Sequence, residues 1–211
     1  MRFLLGRYLE MVTTFLPYSD FQKSLSVLDR SRLGKQRIEC KQIIAVLQGE
    51  SQGWKNHPAV KMWIGYLPAI SHYYNLCLKE WETRGYKNDK CQYIDIVDPI
   101  VMPWYIGWEP FHLSHQASLM RKDTSYYKDK FKVPDFYLAR GYIWPSPSNN
   151  LSSLSLKELD SRGIFAKIRI ISNSSLSFNE LRSIAKKNSI VGYGKLNKIQ
   201  LVELLSHHKY I

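Results

Sequence analysis

The sequence is poor in cysteine and has no long apolar run, and each shortage excludes a class of protein. Its three cysteines, Cys40, Cys77 and Cys91, are far apart and form no C-x-x-C pair. This usage predicts neither a disulfide framework nor a zinc site, so we expect reduced thiols, no metal and no cofactor. No stretch reaches the roughly 20 apolar residues of a membrane-spanning helix, and Phe3–Leu5 is too short for the core of a signal peptide.

Acidic residues are also scarce. The 211 residues include 30 Lys and Arg against 18 Asp and Glu, a formal net charge of +12. Such an excess favours nucleic acid or another anionic surface as the partner, because net charge governs association rather than fold. Without an apolar anchor, a membrane is not expected as that surface. We therefore expect an intracellular protein of the cytoplasm, nucleoid or nucleus, or a virus-encoded protein in the infected cell.

Apolar residues recur at helical spacing through most of the chain. Ser19 or Asp20 can cap a first helix, and Gly49 suits the end of a second, strongly basic helix. Only Val101-Met102 and Ala166–Ile171 resemble short strands. The pattern predicts an all-α protein, a compact helical bundle with long aromatic loops followed by a small helix–extended-loop–helix module. Further helices are expected from Pro58, from Pro68 to Gly85, over Leu113–Lys122 and on both sides of Gly192-Tyr193-Gly194.

Composition divides the chain into four parts. Residues 1–10 form an N-terminal extension ahead of the patterned sequence, and residues 11–147 form the main domain. The Pro, Ser and Asn content that begins at Pro145 predicts a linker over residues 148–176. Residues 177–211 form the terminal helical module. A linker with little apolar area cannot hold a fixed arrangement, so we expect the main domain and the module to be separable.

The run from Asp29 to Glu39 crowds four cations into about two helical turns. Apolar residues at helical spacing behind them would dock this helix on a core and leave the cations free to lie along a phosphate backbone. The same pattern also fits a solvated helix face, and this segment alone leaves both interpretations open. The cations are Arg30, Arg32, Lys35 and Arg37, and the apolar residues are Leu28, Leu33, Ile38, Ile43, Ile44 and Leu47.

Several motifs follow one another in order along the chain. They are TFLPY at residues 14–18, RLGKQR at 32–37, NHPAVKMW at 56–63, EWETRGY at 80–86, HQASL at 115–119 and YIWP at 142–145. The ordered set resembles the pyrimidine-dimer DNA glycosylase (endonuclease V) family, and its bacterial branch in particular, over roughly residues 13–145. The resemblance implies an all-helical enzyme that cuts the glycosyl bond of a damaged pyrimidine and then nicks the strand.

Such a reaction requires an amine that attacks C1′ of the sugar and forms a Schiff base. The resemblance implies a free α-amino group, exposed once an initiator Met is removed. Bulky Arg2 follows Met1, so removal of Met1 is not expected, whereas translation from Met11 would allow trimming to the small Val12. We therefore expect the α-amine of Val12 to be the nucleophile, because an α-amine with a pKa near 8 is partly unprotonated at neutral pH.

A carboxylate is also required, to stabilise charge and to move protons. The family has a glutamate between its two helix arginines, and the matching stretch here has none. Glu39, two residues past Arg37, is the first candidate to replace it, and Asp29 is the alternative. Lys35 lies one helical turn before Glu39 and would hold it ionised. Lys35 is also the expected nucleophile if no α-amine is available, because repulsion from the neighbouring arginines would make it reactive.

Other residues are candidates for DNA contacts. His57 opens the third helix, where it serves either as a phosphate or base contact or as a helix cap. The resemblance places His115 near a DNA-contacting helix, and Arg121 and Lys122 follow it. A further aromatic set would either stack on an unstacked base or belong to the core, and its members are Trp104, Trp108, Tyr126 and Tyr127.

The end of the chain carries a second resemblance. FNELRSIAKK at residues 178–187 and LVELL at 201–205 flank a glycine-containing loop. This pattern is similar to the SAP-like helix–extended-loop–helix of the transcription terminator Rho N-terminal region, which implies a nucleic-acid tether. Lys186, Lys187, Lys195 and Lys198 surround the loop and favour that interpretation. A plain helical hairpin for protein contacts is the alternative.

Together these observations predict a DNA N-glycosylase with abasic-site lyase activity on damaged or modified pyrimidines in duplex DNA. The alternative is a non-catalytic DNA- or RNA-binding protein built on the same scaffold. We expect duplex DNA, damaged DNA included, as the partner, with RNA less favoured and with the protein acting as a monomer. Borohydride trapping of a covalent protein–DNA adduct distinguishes the two functions.

Overall fold

The computed structural model describes residues 12–166, 178–190, 193–196, 201 and 204–205. The chain divides into two compact units, residues 1–167 and 168–211. The described helices of the first unit are α1 Phe21–Ser26, α2 Arg30–Leu47, α3 Pro58–Lys61, α4 Leu67–Thr83, α5 Glu109–Lys122, α6 Thr124–Tyr127, α7 Asp135–Leu138 and α8 Leu156–Ser161. In the second unit the described helix is α9 Phe178–Lys187, followed by a 3₁₀ turn at Tyr193–Lys195.

The predicted all-α fold is confirmed. Over the described ranges, β pairing is limited to two isolated bridges, Ile143 with Phe165 and Ser146 with Asn149. The possible strand at residues 101–102 is irregular backbone, and that at 166–171 lies outside the described residues after Ala166. No described helix combines the length and the apolar composition needed to cross a bilayer.

Helix α2 packs along α4, and their contact forms the centre of the first unit's core. Asp29 caps α2 by accepting hydrogen bonds from the backbone N–H groups of Ser31 and Arg32, at 2.9 and 3.1 Å. Gly49 follows the helix with a φ of +81°, a conformation that favours glycine. The buried stripe of α2 is apolar except at one position, and its members are Leu33, Gln36, Cys40, Ile43 and Ile44.

The segment Val12–Pro17 is buried and contains no regular secondary structure. Side chains from the surrounding elements bond to its polar groups where a β-strand would use a neighbouring strand. Gln36 bonds to Thr13 O and Phe15 N (3.1 and 2.8 Å), Trp63 to Thr14 Oγ1 (3.2 Å), Tyr73 to Phe15 O (2.6 Å), His115 to Leu16 N (3.3 Å), His112 to Leu16 O (2.8 Å) and Gln116 to Pro17 O (2.8 Å). We call this segment the threaded segment.

Two histidines of α5 bond to the threaded segment in opposite senses. Gly107 N–H donates to Nε2 of His112, so Nδ1 of His112 carries the proton that it donates to Leu16 O. Nδ1 of His115 accepts from Leu16 N–H, so in the neutral ring the proton is on Nε2. Both rings must therefore be neutral. Burial lowers the pKa of His112 and lowers the pKa of His115 well below its ordinary value of 6.5.

We expect the free energy of unfolding to fall as the pH drops below about 6.5. The unfolded chain protonates these histidines in that range while the folded chain does not, so acid favours unfolding by up to about 1.4 kcal/mol per pH unit for each ring. Urea denaturation between pH 5 and 7.5 measures this slope. His115→Gln keeps an acceptor for Leu16 N–H and removes one titrating ring, so it should flatten the slope. An unchanged slope would mean that His115 does not titrate on unfolding.

Residues 141–166 are part of the first unit and are anchored to its core, so the predicted linker is wrong for residues 148–166. Leu151 and Leu159 are buried in that core. Gly141 N–H donates to Ala166 O at 3.1 Å, and Ala166 N–H donates to Tyr142 O at 2.7 Å. The Pro, Ser and Asn content reflects turns and a capped helix, α8, between these contacts. Residues 167–176 lie outside the described residues.

The second unit has a small core of its own. Leu181 and Ala185 of α9 are buried together with Leu201 and Leu205. The backbone at residues 201, 204 and 205 is helical. Lys186 and Lys187 are exposed in the last turn of α9.

Candidate active site and nucleic-acid interface

The three arginines of α2 divide between two sides of the helix, so the predicted single basic ridge is wrong. Arg32 and Glu39 lie with Gln36 on the side that faces the threaded segment and the end of α5. We call this side the segment flank, after the threaded segment. Arg30 and Arg37 lie on the other side, against aromatic rings of residues 81–86. We call that side the aromatic flank. Arg32, Gln36 and Glu39 follow i, i+4, i+7 spacing, and Arg30 and Arg37 are seven residues apart. An offset of two residues separates the two sets by about half a turn.

On the segment flank, Arg32 joins α2 to the end of α5. Its guanidinium lies 3.1 Å from the Asp29 carboxylate and 3.5 Å from that of Asp123, and it donates to Lys122 O at 3.0 Å. Tyr127 donates to Asp29 at 2.6 Å and extends the network. Arg32, predicted to grip phosphate, is therefore occupied in holding two elements together.

On the aromatic flank, two guanidinium groups rest on a pair of neighbouring rings that are tilted by 44° to each other. The guanidinium carbon of Arg37 lies 3.8 Å from the Trp81 ring centroid, and that of Arg30 lies 5.0 Å from the Tyr86 centroid. The two rings are 4.4 Å apart. Gly34 permits this contact, because a Cβ there would come within 3.2 Å of Trp81. Arg37 is half-buried and donates to Asn88 at 3.3 Å, whereas Arg30 is exposed.

Glu39 lies beside the start of the threaded segment. The amide nitrogen of Gln36 donates both to Glu39 Oε2 and to Thr13 O, each at 3.1 Å. Two acceptors that share one nitrogen in this way lie no more than about 6 Å apart. Val12 precedes Thr13 directly and is 2% exposed. Glu39 therefore lies close to Thr13, the residue that follows Val12, and Lys35 is exposed one turn before Glu39.

Two buried polar atoms around the threaded segment have no hydrogen-bond partner among the described residues. They are Thr13 Oγ1 and His115 Nε2. The Tyr142 ring lies 5.0 Å from His115 and 6.5 Å from Phe15, centroid to centroid. Burial raises the pKa of Tyr142, and the Ser118 side chain and the charge of Arg121 partly oppose that rise. Unpaired buried polar groups are rare in folded proteins, so these atoms leave hydrogen-bonding positions unused beside the threaded segment.

The predicted DNA contact of His115 is wrong. The ring is fully buried and bonded to Leu16, so no duplex can reach it. His57 is the N-cap residue of α3, and its Nδ1 accepts from Ala59 N–H at 3.2 Å. Of the two interpretations of His57, the structure therefore supports the helix cap.

Arg121 also has a structural role in place of the predicted DNA contact. Its guanidinium donates to the carbonyl oxygens of Tyr137 and Leu138, at 3.2 and 3.1 Å, and to Ser118 Oγ at 2.7 Å. Burial lowers the pKa of Arg121. These bonds hold α7 against α5, and they leave little of the guanidinium edge for a phosphate.

The remaining candidates are distributed over both units. Lys122 is exposed at the end of α5, with its Nζ 5.9 Å from the Phe15 ring centroid. Lys198 and the side chain of Lys195 lie outside the described residues. Of the aromatic set, Trp108 and Tyr127 are buried in the core, Trp104 is half-buried and Tyr126 is exposed. In the described part of the chain, no three His, Cys, Asp or Glu side chains converge as metal ligands.

Sequence reasoning missed Gln36. The residue sits between two cations in the RLGKQR motif, which drew attention to charge rather than to burial. A signal was available, because Gln36 occupies a position of the buried stripe three residues after Leu33 and four before Cys40. A polar residue in such a stripe must find internal partners.

These features define an all-α protein in which a helix carboxylate and a buried N-terminal segment share one polar site beside exposed cations. Residues 12–93, which contain α1 to α4, match the profile of the family described as Pyrimidine dimer DNA glycosylase, so this part of the chain is similar to that family. The resemblance drawn from the motifs is thereby confirmed for residues 12–93. No curated protein and no solved structure gives a significant match to the chain.

Proposed function

We propose that the protein is a DNA N-glycosylase and abasic-site lyase that acts on damaged or modified pyrimidines in duplex DNA. The family match supports the glycosylase class of function. The observation that carries the finer proposal is the shared hydrogen-bond donor, Gln36, which holds the Glu39 carboxylate beside Thr13. An α-amino group on Val12 would stand one residue from that carbonyl, within reach of the same carboxylate.

The chemistry follows from this pairing. The amine lone pair forms a bond to C1′ while the bond from C1′ to the pyrimidine nitrogen breaks, and the base departs with the bonding electrons. Ring opening then gives a Schiff base between the amine and C1′. Loss of a proton from C2′ expels the 3′ phosphate and nicks the strand. Glu39 would stabilise the cationic intermediates and carry the proton.

Exposed cations near this site would hold the DNA backbone. Lys35 and Lys122 are exposed close to Glu39 and Phe15, and Arg30 is exposed on the aromatic flank. The partners of Arg32 and Arg121 assign them to the fold, so they contribute to the interface by keeping α2, α5 and α7 in place. In the second unit, we propose that Lys186 and Lys187, with Lys195 and Lys198, form a SAP-like tether for nucleic acid.

Replacing Arg30, Lys35 and Lys122 together with Ala should flatten the salt dependence of duplex binding by about two to three units of slope. Each lost phosphate contact removes about 0.9 units, because fewer counterions are released. Arg32→Ala should leave the slope unchanged and lower the free energy of unfolding by about 2 kcal/mol, since it removes charged hydrogen bonds. Fluorescence anisotropy over a salt series measures the slope, and an unchanged slope in the triple variant would remove α2 from the interface.

The test of the function compares the full chain with a chain that starts at Val12. Each is incubated with borohydride and a duplex that contains a pyrimidine dimer, an abasic site or no lesion. We expect a trapped adduct from the shortened chain on the two damaged duplexes, and less from the full chain.

Equal trapping by both chains would make a side chain the nucleophile, with Lys35→Ala as the next variant. Duplex binding without trapping by either chain would identify a non-catalytic binding protein, and tighter binding of structured RNA would exclude DNA as the partner.

A further inference from the structure

Gln36 is the most fully bonded side chain of the site, although it is fully buried and cannot touch a substrate. Its amide oxygen accepts from Phe15 N–H at 2.8 Å and from the Tyr73 hydroxyl at 3.1 Å. Its amide nitrogen donates to Thr13 O and to Glu39 Oε2. Both N–H groups of the amide are in use, and its oxygen accepts from Phe15 N–H and shares the Tyr73 proton with Phe15 O.

These partners fix the orientation of the amide. A flip would turn its oxygen toward two acceptors, Thr13 O and the Glu39 carboxylate, and its nitrogen toward a donor, Phe15 N–H. Each new pair would be repulsive in a buried environment. The N–H directed at Glu39 is thus held in place by bonds to the threaded segment, and this arrangement couples the position of the carboxylate to the position of residues 13–15.

We infer that Gln36 is a positioning residue that sets the place and the ionisation of the Glu39 carboxylate for the lyase reaction. This inference rests on the function proposed above. The donated N–H favours the charged form of the carboxylate. The two bonds to Thr13 and Phe15 set the distance from that carboxylate to an amine on residue 12. Gln36 acts through Glu39 and the threaded segment, and it has no contact with the reacting atoms.

If Gln36 had a purely structural role, its substitution would change the stability of the protein and not the pH dependence of nicking. The Tyr73→Phe variant is the matched control. Tyr73→Phe removes the hydroxyl that bonds to Phe15 O and to Gln36, and so loosens the same part of the core. It leaves the bond from Gln36 to Glu39 in place. If Gln36 serves only the core, Tyr73→Phe and Gln36 variants should affect stability and leave the pH profile of nicking unchanged.

The experiment measures the rate of strand nicking against pH for the chain that starts at Val12 and for its Gln36→Glu, Gln36→Met and Tyr73→Phe variants. Gln36→Glu places a second carboxyl group against Glu39, so the two would share a proton and the acid limb of the profile should move up by at least about one pH unit. Nicking at a pH on that limb should then fall about tenfold. Gln36→Met removes the donor and should shift the limb in the same direction by less, while Tyr73→Phe leaves it in place.

Circular dichroism across the pH range separates these shifts from unfolding, and Gln36→Met serves if Gln36→Glu fails to fold. Acid limbs of both Gln36 variants that coincide with that of the parent would overturn the positioning role. Failure of the proposed function looks different, because the parent chain itself would then neither nick nor be trapped.

Discussion

Glu39→Gln should lower the rate of strand nicking at least about 100-fold, the range that a positioned acid–base group contributes. The substitution keeps the size of the side chain and an oxygen that can accept from Gln36, so the fold and the affinity for duplex DNA should be retained. Loss of the carboxylate removes the group that would stabilise the Schiff base and carry the C2′ proton. Single-turnover nicking of a duplex with an abasic site, at saturating protein, measures the effect.

Glu50→Gln is the control for the change in charge. Glu50 is exposed just beyond the end of α2, and its substitution alters the net charge of the protein by the same amount. Its nicking rate should equal that of the parent chain. Equal rates for Glu39→Gln and Glu50→Gln would remove Glu39 from the mechanism and make Asp29, which bonds to Arg32 and Tyr127, the next carboxylate to examine.

Gly141→Ala should destabilise the first unit by about 3 kcal/mol, at the upper end of the usual cost of overpacking. A Cβ at this position would lie 2.2 Å from the backbone oxygen of Ala166, a separation that no rotamer change relieves. The contact joins residues 141–143 to residues 164–166, so its loss should release the segment that contains α8. Thermal and urea denaturation measure the loss, and limited proteolysis should show new cleavage between residues 148 and 166.

Gly53→Ala provides the comparison, because the nearest atom to a Cβ there is 3.5 Å away, an ordinary contact. It should have little effect on the melting temperature. If Gly141→Ala were equally neutral, residues 148–166 would not be held against the core, and the linker predicted from composition would apply after all.

Helical periodicity predicted the fold well where the pattern was long. The two largest helices, α2 and α4, lie where their spacing and caps place them. The linker over residues 148–176 was predicted wrongly because Pro, Ser and Asn are as common in packed turns as in linkers. Two leucines, Leu151 and Leu159, hold the segment to the core, and their burial depends on distant residues that a local composition does not report.

The site was predictable in its residue types and less so in its geometry. Glu39 was chosen because it follows the cations on one helix, and it lies beside the threaded segment as that choice requires. The prediction of a single basic ridge is wrong because residues two apart, such as Arg30 and Arg32, point to different sides of a helix. The resemblance places His115 near a DNA-contacting helix, whereas the ring is buried and bonded to Leu16, 99 positions earlier in the chain.

The most direct test of the central claim is mass spectrometry of the borohydride-reduced adduct formed by the chain that starts at Val12. After digestion of the protein and the DNA, the sugar remnant should be found on the α-amine of the peptide that begins Val12-Thr13-Thr14. An adduct on Lys35, or on any other lysine, would contradict the pairing of the Val12 amine with Glu39.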